Sequence, residues 1–126
     1  MKGLKQLRIG SNFLSGNLPT SGISNCAARN EILLGRNNLS GTIPTNFTQM
    51  RYLQILRLRK NDLTGIIPSD LPKIAPNLMV FDLYDNKLSG TIPYELAELS
   101  YLEFLEVDEN GLEGAIPSEL GLLILL

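Results

Sequence analysis

Residues 53–68 read L-Q-I-L-R-L-R-K-N-D-L-T-G-I-I-P, and this stretch decides the fold because the chain spells it five times. Leu53, Leu56 and Leu58 lead to Asn61, and Leu63, Gly65, Ile67 and Pro68 follow. The other copies start at Leu4, Arg29, Leu78 and Leu102. Their pivot asparagines, Asn12, Asn37, Asn61, Asn86 and Asn110, are separated by steps of 25, 24, 25 and 24 residues. Spacing this regular marks a repeat architecture, in which no single unit can bury its own apolar face and neighbours must stack.

Outward from that stretch the copies vary in strength. Arg29 stands where the second copy should open on leucine, and the pattern recovers at Ile32, Leu34 and Asn37. The fourth copy follows a segment containing Pro72 and Pro76. After Pro117, Leu120, Leu123 and Leu126 begin a sixth copy that does not complete. Residues 1–126 are therefore expected to form a single repeat array, uncapped and a fragment of a longer protein. Uncapped end coils predict self-association, because terminal repeats normally carry a polar outer face.

Within one copy, Leu56 and Leu58 alternate with Arg57 and Arg59, the period-2 pattern of a strand buried on one face. Only some twenty residues connect each strand to the next, so the strands run parallel in a solenoid. The asparagines sit where the strand ends and the chain turns inward. A buried amide there must have its donors and acceptors matched, which implies a ladder of Asn12, Asn37, Asn61, Asn86 and Asn110 bonding turn backbone across coils. Gly16, Gly41, Gly65, Gly90 and Gly114 each follow four residues later, where a tight bend or positive φ needs glycine.

Composition excludes several functions. The net charge of −2 lacks the positive field that nucleic acid or an anionic membrane requires. The chain has no histidine and a single cysteine, Cys26, so an internal disulfide is ruled out. Cys26 takes the place that Met50 and Leu99 fill in other copies, and its expected role is packing. No cofactor or metal is implied.

The recurring block, LSGNLP, LSGTIP, LTGIIP, LSGTIP and LEGAIP, resembles the plant-specific class of leucine-rich repeats. Such repeats form the extracellular regions of receptor-like kinases and receptor-like proteins, and the polygalacturonase-inhibiting proteins. The resemblance implies an α/β right-handed solenoid with a parallel sheet on the concave face. Short extra strands after the ladder and 3₁₀ or short helical turns on the convex face complete that picture. It also implies an extracellular or plasma-membrane-associated parent, with recognition of protein or peptide, and of a co-receptor, on the concave or lateral surface. A kinase domain of the parent would lie outside this chain.

The outward strand positions carry the candidate ligand face. Lys5, Arg8, Arg36, Arg57, Arg59 and Lys60 dominate the first three copies, with Glu31 as the one acid. Asp82, Asp85, Glu103, Glu106, Asp108 and Glu109 dominate the last two, with Tyr84 and Phe104 beside them. The alternating spacing sets Arg57 opposite Asp82 and Lys60 opposite Asp85. These pairs can equally serve as solvated charge worth about 0–1 kcal/mol each. Glu106 and Asp108 have the separation of an inverting glycosidase pair, but an open sheet has no pocket to hold one of them protonated. Calcium at Asp82, Asp85, Asp108 and Glu109 lacks the spacing of a dedicated loop. Asn38 and Asn46 open glycosylation sequons. Two functions follow: a protein- or peptide-binding module with no enzymatic activity, or a structural spacer that positions binding repeats elsewhere.

Overall fold

The computed structural model describes residues 5–19, 30–45 and 50–123. Cys26, Arg29 and Asn46 fall outside those segments, as do Phe47 and the last residues of the terminal leucine run. Coil 1 carries β1 (Gln6–Arg8) and β2 (Ser15–Asn17), and coil 2 carries β3 (Glu31–Leu33) and β4 (Asn38–Thr42). Coil 3 carries β5 (Ile55–Arg57), β6 (Asp62–Gly65) and a four-residue helix, α1 (Leu71–Ile74). Coil 4 carries β7 (Val80–Asp82), β8 (Lys87–Gly90) and a 3₁₀ turn over Tyr94–Glu98. Coil 5 carries β9 (Phe104–Glu106), β10 (Gly111–Leu112) and a 3₁₀ turn over Ser118–Leu122. The molecule is a solenoid of parallel strands with little helix, as a leucine-rich repeat requires.

Each coil gives one strand to each of two five-stranded parallel sheets, ordered β1-β3-β5-β7-β9 and β2-β4-β6-β8-β10. In the first sheet Leu7, Ile32, Leu56, Phe81 and Leu105 stand in one row, so pairing follows the sequence repeat. The second sheet does not. Ser15 pairs with Asn38, Ser40 with Asp62, Thr64 with Lys87 and Ser89 with Gly111. Every one of those offsets is two residues shorter than the repeat.

The asparagines lie where the slip begins. Asn37 Oδ1 accepts the Leu14 N–H at 3.0 Å, Asn61 Oδ1 that of Leu39 at 3.0 Å, Asn86 Oδ1 that of Leu63 at 3.1 Å and Asn110 Oδ1 that of Leu88 at 3.0 Å. Each side chain thus takes a donor two residues past the asparagine of the preceding coil. The amide nitrogen donates to two coils at once: Asn61 Nδ2 reaches Leu58 O at 2.9 Å in its own coil and Leu34 O at 3.2 Å in the one before. Among the described residues the Asn12 side chain bonds only carbonyls of its own coil, those of Ile9 and Gly10.

The core runs down the solenoid axis. Ile32, Leu56 and Phe81 form one buried layer, and Leu34, Leu58 and Leu83 form the next. Leu39, Leu63 and Leu88 close it from the second sheet, with Ile43 and Ile67 beneath. Each such side chain contributes roughly 1.5–3 kcal/mol, which the neighbouring coil makes available. Helical turns fill the opposite side, where Leu71, Ile74, Leu96 and Leu99 are buried. The step from Asn61 to Asn86 is the longer one and contains α1; the shorter step to Asn110 contains a 3₁₀ turn. Pro72 is tolerated because it falls in the first turn of α1.

Candidate functional site

The first sheet presents four columns of side chains. Gln6, Glu31, Ile55, Val80 and Phe104 form one, and Arg8, Leu33, Arg57, Asp82 and Glu106 the next. Two residues on come Gly10, Gly35, Arg59, Tyr84 and Asp108, still joined coil to coil through main-chain bonds such as Lys60 N–H to Tyr84 O at 2.7 Å. The last column is Ser11, Arg36, Lys60, Asp85 and Glu109, and all five have positive φ, between 53° and 58°. That conformation costs an L-residue roughly 1–2 kcal/mol. Here it carries the chain from the strand into the asparagine turn. Only Asp85 is of a type that favours it; Ser11, Arg36, Lys60 and Glu109 do not announce it.

The structure redistributes the charges expected on this face. Arg57 and Asp82 are in register, yet Arg57 is exposed and Asp82 is 1% exposed. Asp82 instead lies 3.6 Å from Arg59 Nη1 and accepts the Tyr84 N–H at 3.2 Å. The same guanidinium nitrogen is 3.9 Å from Glu106 Oε2 in coil 5. Arg59 also lies over the Tyr84 ring, 5.0 Å from its centroid, with Lys60 at 5.8 Å. Lys60 and Asp85 form no ion pair; Lys60 turns to the aromatic ring. The physical reason is reach: Arg57 projects away from the sheet, whereas Arg59 can lie flat along it and meet a buried carboxylate that needs a partner.

Arg59 is therefore a seam. Arg8 is neutralised by Glu31 at 2.8 Å. Among the described residues Lys5, Arg36, Arg57 and Lys60 carry no ion pair on one side of the seam, and Asp85, Glu103, Asp108 and Glu109 carry none on the other. Phe104 is partly exposed beside the acidic side. Asn38 is exposed at the start of β4, and its N–H donates to Leu14 O at 2.8 Å. No helix among the described residues is long and apolar enough to cross a membrane.

Comparison with known proteins supports the architecture. The Leucine Rich Repeat family model matches residues 52–74 and 77–99. A plant peptide hormone receptor, RGFR1, solved in complex with RGF2, is 38% identical over 94% of this chain with a TM-score of 0.89. The chain spans 19% of that receptor's length. The Arabidopsis receptor kinase HAESA, solved with the peptide hormone IDA and the co-receptor SERK1, is 38% identical over 97% of the chain, with a TM-score of 0.90 and 20% of its length spanned. The ectodomain of the Arabidopsis thaliana receptor kinase SOBIR1 is 32% identical over 95% of the chain, with a TM-score of 0.86 and 65% of its length spanned.

Proposed function

Because the chain is a leucine-rich repeat protein of the plant receptor type, we propose that it is a protein- and peptide-binding module that uses the first sheet's open face. The observation that carries this reading is the divided charge on that face. Among the described residues Arg36, Arg57 and Lys60 stand unpaired on one side of Arg59, and Asp85, Asp108 and Glu109 on the other. Internal neutralisation would have used these charges up; among the described residues of this face only Arg8, Glu31, Arg59, Asp82 and Glu106 are so used. A polypeptide whose own charge changes sign along its length fits, with its basic segment over coils 4 and 5. Tyr84 and Phe104 supply the aromatic contact area that recognition surfaces favour.

The similar receptors bind peptide hormones and a co-receptor, which supports a polypeptide ligand. The parent protein is extracellular or plasma-membrane-associated, and Asn38 is a glycan acceptor in that setting. We assign no residue a catalytic role. The test is calorimetry with synthetic peptides of opposite charge order. Peptides with a basic segment placed for coils 4 and 5 bind the wild type and lose binding to the Glu106→Lys/Asp108→Lys double variant. Undiminished affinity of that variant removes the ligand from this end of the face.

A further inference from the structure

A pair of grooves lies on the side wall, where the second sheet meets the helical turns. The glycines of the repeated block make room for them. An ideal Cβ on Gly65 would stand 2.9 Å from Thr42 Cγ2, and one on Gly90 would stand 3.0 Å from Ile66 Cγ2. Each block therefore lays the side chain after its glycine across the glycine of the following coil. That row, Thr42, Ile66 and Thr91, forms one lip of two adjoining grooves of ≈510 and ≈430 Å³. Thr45, Ser69 and Tyr94 line the grooves on the other side, and Ile66 and Ser69 belong to both, so the two adjoin along those residues. Ile66 is 63% exposed and Tyr94 59%, although both sit within regular, well-packed coils.

The pair of grooves has a polarity. Asp70 lines one groove and Glu95 the other, and no basic side chain lines either among the described residues. Asp70 Oδ1 is buried and has no hydrogen-bond partner among the described residues. Its side chain caps nothing in α1. Lys73, one turn along, is exposed and forms no ion pair with it. A half-buried carboxylate lining a groove beside the exposed Ile66 accepts from a donor that arrives with an apolar stem. Lysine and arginine have that form.

The geometry points to a docking groove for a partner protein that inserts a lysine or arginine side chain against Asp70 while an apolar neighbour rests on Ile66 and Tyr94. An anionic partner meets Asp70 and Glu95 with like charge. This site lies on the second sheet's side and shares none of the concave residues Arg59, Tyr84 or Asp108, so it acts independently of the ligand face proposed above.

The test is an amide-resolved NMR titration of the whole chain with acetyl-Leu-Gly-Arg-amide, alongside the same peptide carrying citrulline in place of arginine. The arginine peptide saturably shifts the amides of Ile66, Ser69, Asp70 and Glu95, and the citrulline peptide binds at least about tenfold more weakly because a charge-assisted bond becomes neutral. Asp70→Asn produces a loss of similar size, and Glu106→Lys/Asp108→Lys leaves the groove shifts unchanged. If Asp70→Asn disturbs the fold, Ile66→Lys serves instead, placing a cation in the grooves and abolishing the shifts. The proposal is overturned by equal affinity for the two peptides, by binding that survives both variants, by shifts confined to Asp85, Asp108 and Glu109, or by methyl glucoside shifting the same amides more strongly than the arginine peptide.

Discussion

The two sheets come from the same five coils and pair by different rules. In the first, equivalent residues face each other, so each outward column gathers one position from every coil. In the second, pairing slips by two residues at every coil, and the rows mix positions that the repeat keeps apart. The in-register sheet is the one on which a surface can be composed coil by coil, because changing one residue changes one site in a fixed column. The slipped sheet carries the repeated block, whose glycines and prolines serve the close approach of coil to coil. The asparagine joins the two rules, since its side chain replaces a main-chain acceptor at the point where one register gives way to the other.

The largest effect therefore belongs to that joint. Asn61→Leu leaves the Leu39 N–H without its acceptor and takes from the Leu34 and Leu58 carbonyls one of the two amide donors each has, Asn37 and Asn86 supplying the other, in a buried setting. It destabilises by about 3–5 kcal/mol despite adding apolar surface, read as a drop in the urea midpoint with unchanged slope. Asn12→Leu removes only two bonds to its own exposed coil and costs about 1 kcal/mol. Equal losses at the two positions would mean that the link between coils contributes nothing.

Next is the first sheet's seam. Arg59→Met strands Asp82, a buried carboxylate left with the Tyr84 N–H as its hydrogen-bond donor. Because the arginine is itself about one-third exposed, the expected loss is about 2 kcal/mol, below that of a wholly buried pair. Arg57→Met, two residues away and exposed, changes stability by less than about 0.5 kcal/mol. If the two variants melt alike, register and not reach decides the pairing.

This contrast marks how far residue spacing could be read. The period of 24 and 25 residues places the first sheet's columns, because an in-register parallel sheet copies the repeat directly. The slip of the second sheet is set by where a side-chain amide meets a main-chain N–H, a geometry that spacing does not encode. Alternation places Arg57 opposite Asp82, and it cannot show that Asp82 lies under the surface or that Arg59 lies flat enough to cover it. The positive φ at Arg36 and Lys60 was equally hidden, since long charged side chains are poor markers of left-handed backbone. The lateral grooves went unseen for a related reason: Ile66 and Tyr94 belong to blocks whose neighbours at the same places are polar.

Within the slipped sheet the glycines separate two kinds of cost. Gly65 has φ of 81°, and a Cβ there would press on Thr42; Gly16 has φ of 89° with nothing within 4 Å. Gly16→Ala thus pays for conformation alone, about 1 kcal/mol, and Gly65→Ala adds the contact to reach about 2 kcal/mol. Thr42→Ser in the Gly65→Ala background removes the obstructing methyl and returns part of the difference, measured as a double-mutant cycle in denaturant.

The smallest effect tests whether the second sheet holds together through its surface charges. Lys87 Nζ and Asp62 Oδ1 are 2.6 Å apart across neighbouring strands, the shortest ion pair among the described residues, with side chains 67% and 39% exposed. Short distance suggests strength, but exposure decides the matter. Water screens both groups, and ordering the lysine side chain costs entropy that offsets most of the Coulomb gain. Lys87→Met therefore shifts stability by less than about 0.5 kcal/mol, and the shift vanishes in molar salt. The longer Arg59–Asp82 contact matters more because one partner has no water to return to. A loss at Lys87 as large as that at Arg59 would reverse this ranking and make the second sheet, like the first, dependent on its charges.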